Sequence, residues 1–271
     1  MSDHLRPNHL ANFARPPLNE VVVGVQFNPA MGYGQIRAGE VWSLFKDGFP
    51  AVEEQVPLPP SFETFGIPSP PTFNFGMVSG GQHDRFWFLT EDQQELIQFQ
   101  ADRLLHNWRK VPGGVREYPR FEYIISSFQN ELHDLETYFD SLAPQRLHCT
   151  QAEITYINHI ILNKTGTGSQ HSDWVRDLAF GRQDPEDINC TWRRSLHIDG
   201  APRARLIVEA KTGFDFFQQR LLLLNITVRG SPLRPDIEDT IDFLKYGREI
   251  IISEFASMTT DFAHGIWERI S

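Results

Sequence analysis

Along this chain, strand-like and helix-like patterns come in the same order twice. Residues 20–28 are β-branched and read as a strand, and residues 39–49 carry Val41, Trp42, Leu44 and Phe45 at helical spacing before Gly48 and Pro50 end the run. A short strand at 52–58 follows, then a Pro/Gly-rich connection at 59–83. Strand patterns at 84–90 and 95–109 then read as one hairpin turning on Glu91 to Gln94. Residues 118–142 bring Phe121, Ile124, Ile125, Phe128, Leu132, Leu135 and Phe139 at three- and four-residue steps, which predicts a long helix with one buried stripe. The second half follows suit. It has a strand at 147–162, a short helix at 173–180, strands at 191–198, 203–211 and 219–229, a long helix at 235–256 and a last short helix at 260–270.

The expectation is an α+β fold in which a β-α-β-β-β-α unit occurs twice. Each copy contributes to curved antiparallel sheet with helices packed on one face. Residues 1–17 form a flexible lead-in, 18–146 the first unit and 147–271 the second. Glu20 aligns with Glu153 and Trp42 with Trp174, and the hairpins running from Arg85 to Arg109 and from Arg205 to Arg229 have equal length. In element order the unit resembles the halves of saddle-shaped, TATA-binding-protein-like folds, whose curved sheet keeps one face open; that likeness implies no function. The core is expected to hold Trp42, Phe99, Phe128, Ile154, Leu222, Leu224 and Phe255. The connection at 59–83 is long for a compact domain, and such segments more often serve function than hold a fold together.

Hydrophobic residues make up 40% of the chain, enough for a substantial core, so disorder is expected only in the lead-in. The net charge of −10 works against nucleic acid as a partner, because neutralising phosphates needs an excess of Lys and Arg on one face. Cys149 and Cys190 are too few for a disulfide framework. The most apolar run, around residues 221–228, is interrupted by Asn225 and too short to cross a membrane. The first residues lack the apolar stretch of a secretory signal, which places the protein in the cytoplasm.

Several segments carry a family resemblance. They are Pro16-Pro17-Leu18-Asn19-Glu20-Val21-Val22, Gln98-Phe99-Gln100-Ala101-Asp102-Arg103, Asn107-Trp108-Arg109-Lys110, Tyr118-Pro119 and Glu153-Ile154-Thr155-Tyr156-Ile157-Asn158. Over nearly its whole length the chain resembles a sporadically distributed family of uncharacterised prokaryotic proteins. The resemblance transfers no catalytic residues. It implies a setting such as phage defence or mobile-element cargo.

Strand alternation is the main physical lead to a working surface. In residues 95–108, Ile97, Phe99, Ala101 and Leu105 are expected on one face, and Gln98, Gln100, Asp102 and His106 on the other. In residues 219–229, Leu222, Leu224, Ile226 and Val228 oppose Asn225, Thr227 and Arg229. In the strand from 151, Ile154 and Tyr156 oppose Glu153, Thr155 and His159. An ordinary solvated sheet face would look similar. The wealth of amide and hydroxyl groups favours a hydrogen-bonding surface built on Gln98, Gln100, Asp102, Glu153, Thr155, Asn225, Thr227 and Arg229. Arg109, Lys110, Arg116 and Arg120 form the best local basic patch.

One catalytic alternative stands beside this. Leu206 to Lys211 ends an apolar strand in Glu-x-Lys, with Asp199 upstream. This resembles the core of nucleases in which Asp and Glu hold Mg²⁺ and Lys serves the attacking water. Asp199 sits in an Asp-Gly turn, where Asp commonly serves the backbone, and Glu209 and Lys211 can pair with charges across a sheet. Neither zinc-ligand spacing, nor a phosphate-binding loop, nor a nucleophile elbow occurs. The favoured reading is a non-enzymatic binding or assembly protein with a protein partner and no cofactor. The alternative is the Mg-dependent nuclease using Asp199, Glu209 and Lys211.

Overall fold

The computed structural model describes residues 10–65, 84–114, 117–181, 184–215 and 217–271. These residues form one open antiparallel sheet of nine strands with helices packed against it. The strands are β1 (Leu18–Phe27), β2 (Ala51–Gln55), β3 (Arg85–Leu89), β4 (Glu95–Gln100), β5 (Arg103–Arg109), β6 (Cys149–Ile161), β7 (Asn189–Ile198), β8 (Ala201–Phe214) and β9 (Arg220–Gly230). Their order across the sheet is β2-β3-β4-β5-β1-β6-β9-β8-β7. The helices are α1 (Ala38–Phe45), α2 (Phe121–Leu142), α3 (Ile237–Met258) and α4 (Asp261–Ile266).

The alternation in β6 and β9 places Ile154, Ile160, Leu222, Leu224, Ile226 and Val228 on the side of the helices, all at or near zero exposure. Against them lies α3, while α2 covers β5 and β1 with Ile124, Phe128, Leu132 and Leu135. Fully burying each such side chain contributes about 1.5–3 kcal/mol. Asp236 starts α3 by accepting from the Asp239 N–H at 2.8 Å, and Thr260 caps α4 by accepting from the Ala263 N–H at 3.1 Å. Of the seven expected core residues, six are buried. Trp42 is half-buried, with its indole N–H donating to the Phe49 carbonyl at 3.0 Å.

Three expectations about elements are corrected. Residues 95–109 form two strands, because Ala101 and Asp102 make a tight reversal closed by the Gln100–Arg103 pair. The Asp102 carboxylate stabilises this turn by accepting from Gln100 Nε2 at 2.9 Å and Arg103 Nε at 3.1 Å. The first half therefore has one strand more than the second, and the segment from Arg85 to Arg109 spans three strands where Arg205 to Arg229 spans two. The short helix at 173–180 is replaced by two 3₁₀ turns, His171–Asp173 and Arg176–Leu178. Here Trp174 turns inward to donate its indole N–H to Gly168 O at 3.0 Å, and Val175 bridges to Thr259 in extended conformation between the two turns.

The reversal at 101–102 also moves His106. It lies on the helix face, opposite to Gln98 and Gln100. Its Nδ1 is 2.8 Å from Glu131 of α2 and its Nε2 is 3.6 Å from Glu95. Burial alone would push the imidazole pKa down, but the two carboxylates override it and hold it up at about 9. A charged histidine thus pins α2 to the sheet. No described helix is long and apolar enough to cross a membrane.

Candidate functional site

The face of the sheet away from the helices is polar. Following the register across it, Trp87, Gln98, Leu105, Gly24, Glu153, Arg229 and Arg205 lie side by side in one row. A neighbouring row runs Arg85, Gln100, Arg103, Gln26 and Gln151. Thr155 and Thr227 meet in a third row, hydroxyl to hydroxyl at 2.8 Å, and Asn225 lies one row further with a buried Oδ1 that has no hydrogen-bond partner among the described residues. So Gln98, Gln100, Glu153, Thr155, Asn225, Thr227 and Arg229 share this face, and Asp102 sits at its rim in the β4–β5 turn.

On the β3–β5 side the polar groups satisfy one another. Arg85 Nη1 and Trp87 Nε1 donate to Gln98 Oε1 at 2.8 and 3.0 Å. Gln98 Nε2 donates to Asn107 Oδ1 at 2.9 Å, and Asn107 Nδ2 donates to Glu20 Oε1 at 2.5 Å. Burial raises the Glu20 pKa, opposed by the Asn107 bond and by Arg109. The guanidinium groups of Arg85 and Arg109 each lie 5.6 Å from the Trp87 ring centre.

Toward the β9 and β8 side, the face holds a piece of the chain itself. Residues 56–65, just after β2, cross the sheet as a strap. Gln100 brackets one residue, its Oε1 accepting from Leu58 N–H at 2.8 Å and its Nε2 donating to Leu58 O at 3.1 Å. Gln26 does the same for Ser61, at 2.9 and 2.6 Å. Arg103 donates to Pro59 O at 3.1 Å. Further on, Glu63 enters a charged group: Arg205 Nε is 2.6 Å from it and Arg229 Nη1 3.5 Å, while Arg229 Nε is 2.6 Å from Glu153. The Glu63 side chain keeps only 8% exposure, so this carboxylate is desolvated and depends on its partners. Burial would lower the Arg229 pKa, but Glu153, Glu63 and Glu209 raise it. Under the strap a hollow of about 210 Å³ remains, bordered by Gly24, Leu58, Leu105, Glu153 and Arg229. Leu105 leans over Gly24, where a Cβ would come within 2.8 Å of Leu105 Cγ, so any larger residue there would push Leu105 aside.

Of the residues that hold the strap, alternation singled out Gln100 and Arg229. Gln26, Arg103, Arg205 and Glu63 complete the site, and the unusual length of the 59–83 connection was the only signal pointing to it. Residues 66–83 of that connection lie outside the described residues.

The other candidates are scattered. Asp199 and Gly200 form the β7–β8 turn, both at positive φ (53° and 78°), a pattern Asp and Gly suit. Glu209 and Lys211 sit exposed on the polar face, and the eight residue steps from Ala201 to Glu209 put roughly 26 Å of strand between the turn and Glu209. The three groups do not converge. Among the described residues no group of three or more His, Cys, Asp or Glu is gathered for a metal ion. Within the basic patch, Arg109 lies by Trp87, Lys110 follows the end of β5 with its pKa lowered by burial, Arg120 precedes α2, and Arg116 lies outside the described residues.

One cluster that sequence reading missed has the order of a nucleophilic relay. Asp184 is 2.7 Å from His171 Nδ1, and His171 Nε2 is 3.1 Å from Thr212 Oγ1. Its surroundings are structural. His171 is fully buried, the Arg220 guanidinium is 3.4 Å from the same Nε2, and Thr212 Oγ1 accepts the Ile188 N–H. Burial pushes the His171 pKa down. The neutral ring ties the connection before β7 to β8 and β9. Compared with protein families and with curated proteins, the chain finds no match.

Proposed function

We propose that this is a non-enzymatic binding or assembly protein whose working surface is the polar face of the sheet. The observation that carries the reading is the strap. The face already holds an extended polypeptide segment, through side chains that address main-chain N–H and C=O groups rather than through a strand edge. Gln145 makes a similar bracket on Met31 at 2.8 and 3.0 Å, so this chain uses the device more than once to hold loops. What sets the face apart is the desolvated Arg205–Glu63–Arg229 group and the hollow beside it. The partner is a protein. The family resemblance supports a setting in prokaryotic defence, which a phage plating assay with and without the protein addresses.

A photo-crosslinking residue placed at exposed Glu209 on the polar face, in the native host, is expected to capture protein. The same residue at exposed Tyr123 on the outer side of α2 is not. Capture only at Tyr123 would sink the proposal, as would Mg²⁺- or Mn²⁺-dependent cleavage of DNA or RNA that Glu209→Gln abolishes.

We further infer that the two halves descend from one unit, as in saddle-shaped folds. Supporting this, the sheet reads outward from the central β1–β6 pair in matching order. Each central strand neighbours the last strand of its own half, β5 or β9. Glu20 faces Arg109 as Glu153 faces Arg229. Under this reading β2 is an addition to the first half.

A further inference from the structure

Resting on the surface reading above, we infer that the strap is a resident stand-in, and that the groove takes an extended, proline-containing acidic segment of another protein in competition with it. The chemistry of the contacts defines the class. Among the described residues, the groove supplies acceptors for two main-chain N–H groups of the strap, those of Leu58 and Ser61. It supplies donors to the carbonyls of Leu58, Pro59, Ser61 and Thr64. Pro57, Pro59 and Pro60 fill positions at which no N–H is called for, so proline costs nothing there and pre-extends the chain. Two residues past Ser61, a carboxylate is required between Arg205 and Arg229.

The span agrees with an extended ligand. From Leu58 over β4 to Thr64 over β8 the strap advances six residues, about 20 Å for extended chain. The five strand spacings crossed come to about 24 Å, and the long Gln and Arg side chains make up the difference.

Two features indicate that the strap is not the best occupant. It leaves the hollow beside Gly24 and Leu105 unfilled, and of its two aromatics Phe62 is 61% exposed while Phe65 lies against the Arg205 guanidinium, 5.2 Å from its ring centre. A segment with an apolar side chain directed at the sheet between the two bracketed residues would fill that space. Competition follows from connectivity, since a tethered segment holds a high effective concentration and lowers the apparent affinity for any rival.

The probe is a fluorescein-labelled peptide with the sequence of residues 56–65, titrated by anisotropy into the full-length chain. Wild type is expected to bind it weakly. Glu63→Lys, which repels the strap from Arg205 and Arg229, is expected to bind at least about tenfold tighter. Adding Arg205→Ala and Arg229→Ala to that chain is expected to remove binding, as is replacing the glutamate of the probe by glutamine. Circular dichroism and thermal melting check that each variant is folded, and Arg229→Lys serves where Arg229→Ala does not fold. Equal binding by wild type and Glu63→Lys would overturn the inference, as would binding indifferent to both arginines. If the peptide fails while crosslinking at Glu209 persists, the ligand class is wrong and the surface reading stands. If both fail, both fall.

Discussion

The two faces of the sheet solve the problem of buried polarity in different ways. On the helix face, charges are enclosed in small pairs: His106 is held by Glu131 and Glu95 with almost no solvent, and Arg248 of α3 pairs with Glu122 of α2 at 3.0 Å. On the opposite face polarity is spread over amides, hydroxyls and arginines, and one desolvated carboxylate, Glu63, arrives on a segment outside the sheet. The first arrangement fixes α2 to β5. The second fixes a strap that few apolar contacts retain. Stability is therefore expected to be concentrated on the helix face, and local opening on the strap.

The contrast is sharpest in the core. Leu224→Ala, under α3, is expected to cost about 2–5 kcal/mol in chemical denaturation. A change near zero would mean that β9 does not present this face to the helices.

A second measurement tests the charge on the helix face. Because the folded-state pKa of His106 is raised from 6.5 to about 9, its contribution is fully present below about pH 6.5 and is lost as pH rises through about 9. The loss is of the order of 3 kcal/mol, at roughly 1.4 kcal/mol per pH unit. Glu131→Gln is expected to flatten this part of the stability–pH curve. An unchanged curve would show that His106 is neutral in the fold.

On the open face the effects are smaller and local. Gln100→Ala removes both bonds to Leu58 and is expected to cost about 1–2 kcal/mol in strap opening. Faster hydrogen exchange at the Leu58 and Ser61 amides would report it, with the amides of β6 and β9 unaffected. Equal acceleration throughout would abolish the distinction between the faces. Glu209→Gln, exposed on the same face, is expected to shift stability by no more than about 0.5 kcal/mol.

How far the sequence could be read depended on the range of the interaction. The stripe from Phe121 to Phe139 and the alternation from Leu222 to Arg229 are local patterns, and both long helices and the β9 faces follow from them. The reversal at Ala101-Asp102 has neither Gly nor Pro to mark it. Unmarked, it carried the predicted alternation past the turn and put His106 on the wrong face. The Asp-Gly turn at 199–200 was legible, and the Glu-x-Lys that follows it pointed to a metal site only as long as the strand between them was ignored.

By itself the sequence determined the faces of β6 and β9, because alternation there is a two-residue period written into neighbouring positions. It determined the two long helices for the same reason, through a three- to four-residue period. It did not determine that residues 56–65 lie across the polar face. That placement rests on Gln26 reaching a residue 35 positions away and Arg205 one 142 positions away. Such contacts form only after loop closure has been offset by the packing of the whole sheet, and no pattern of neighbouring residues encodes them.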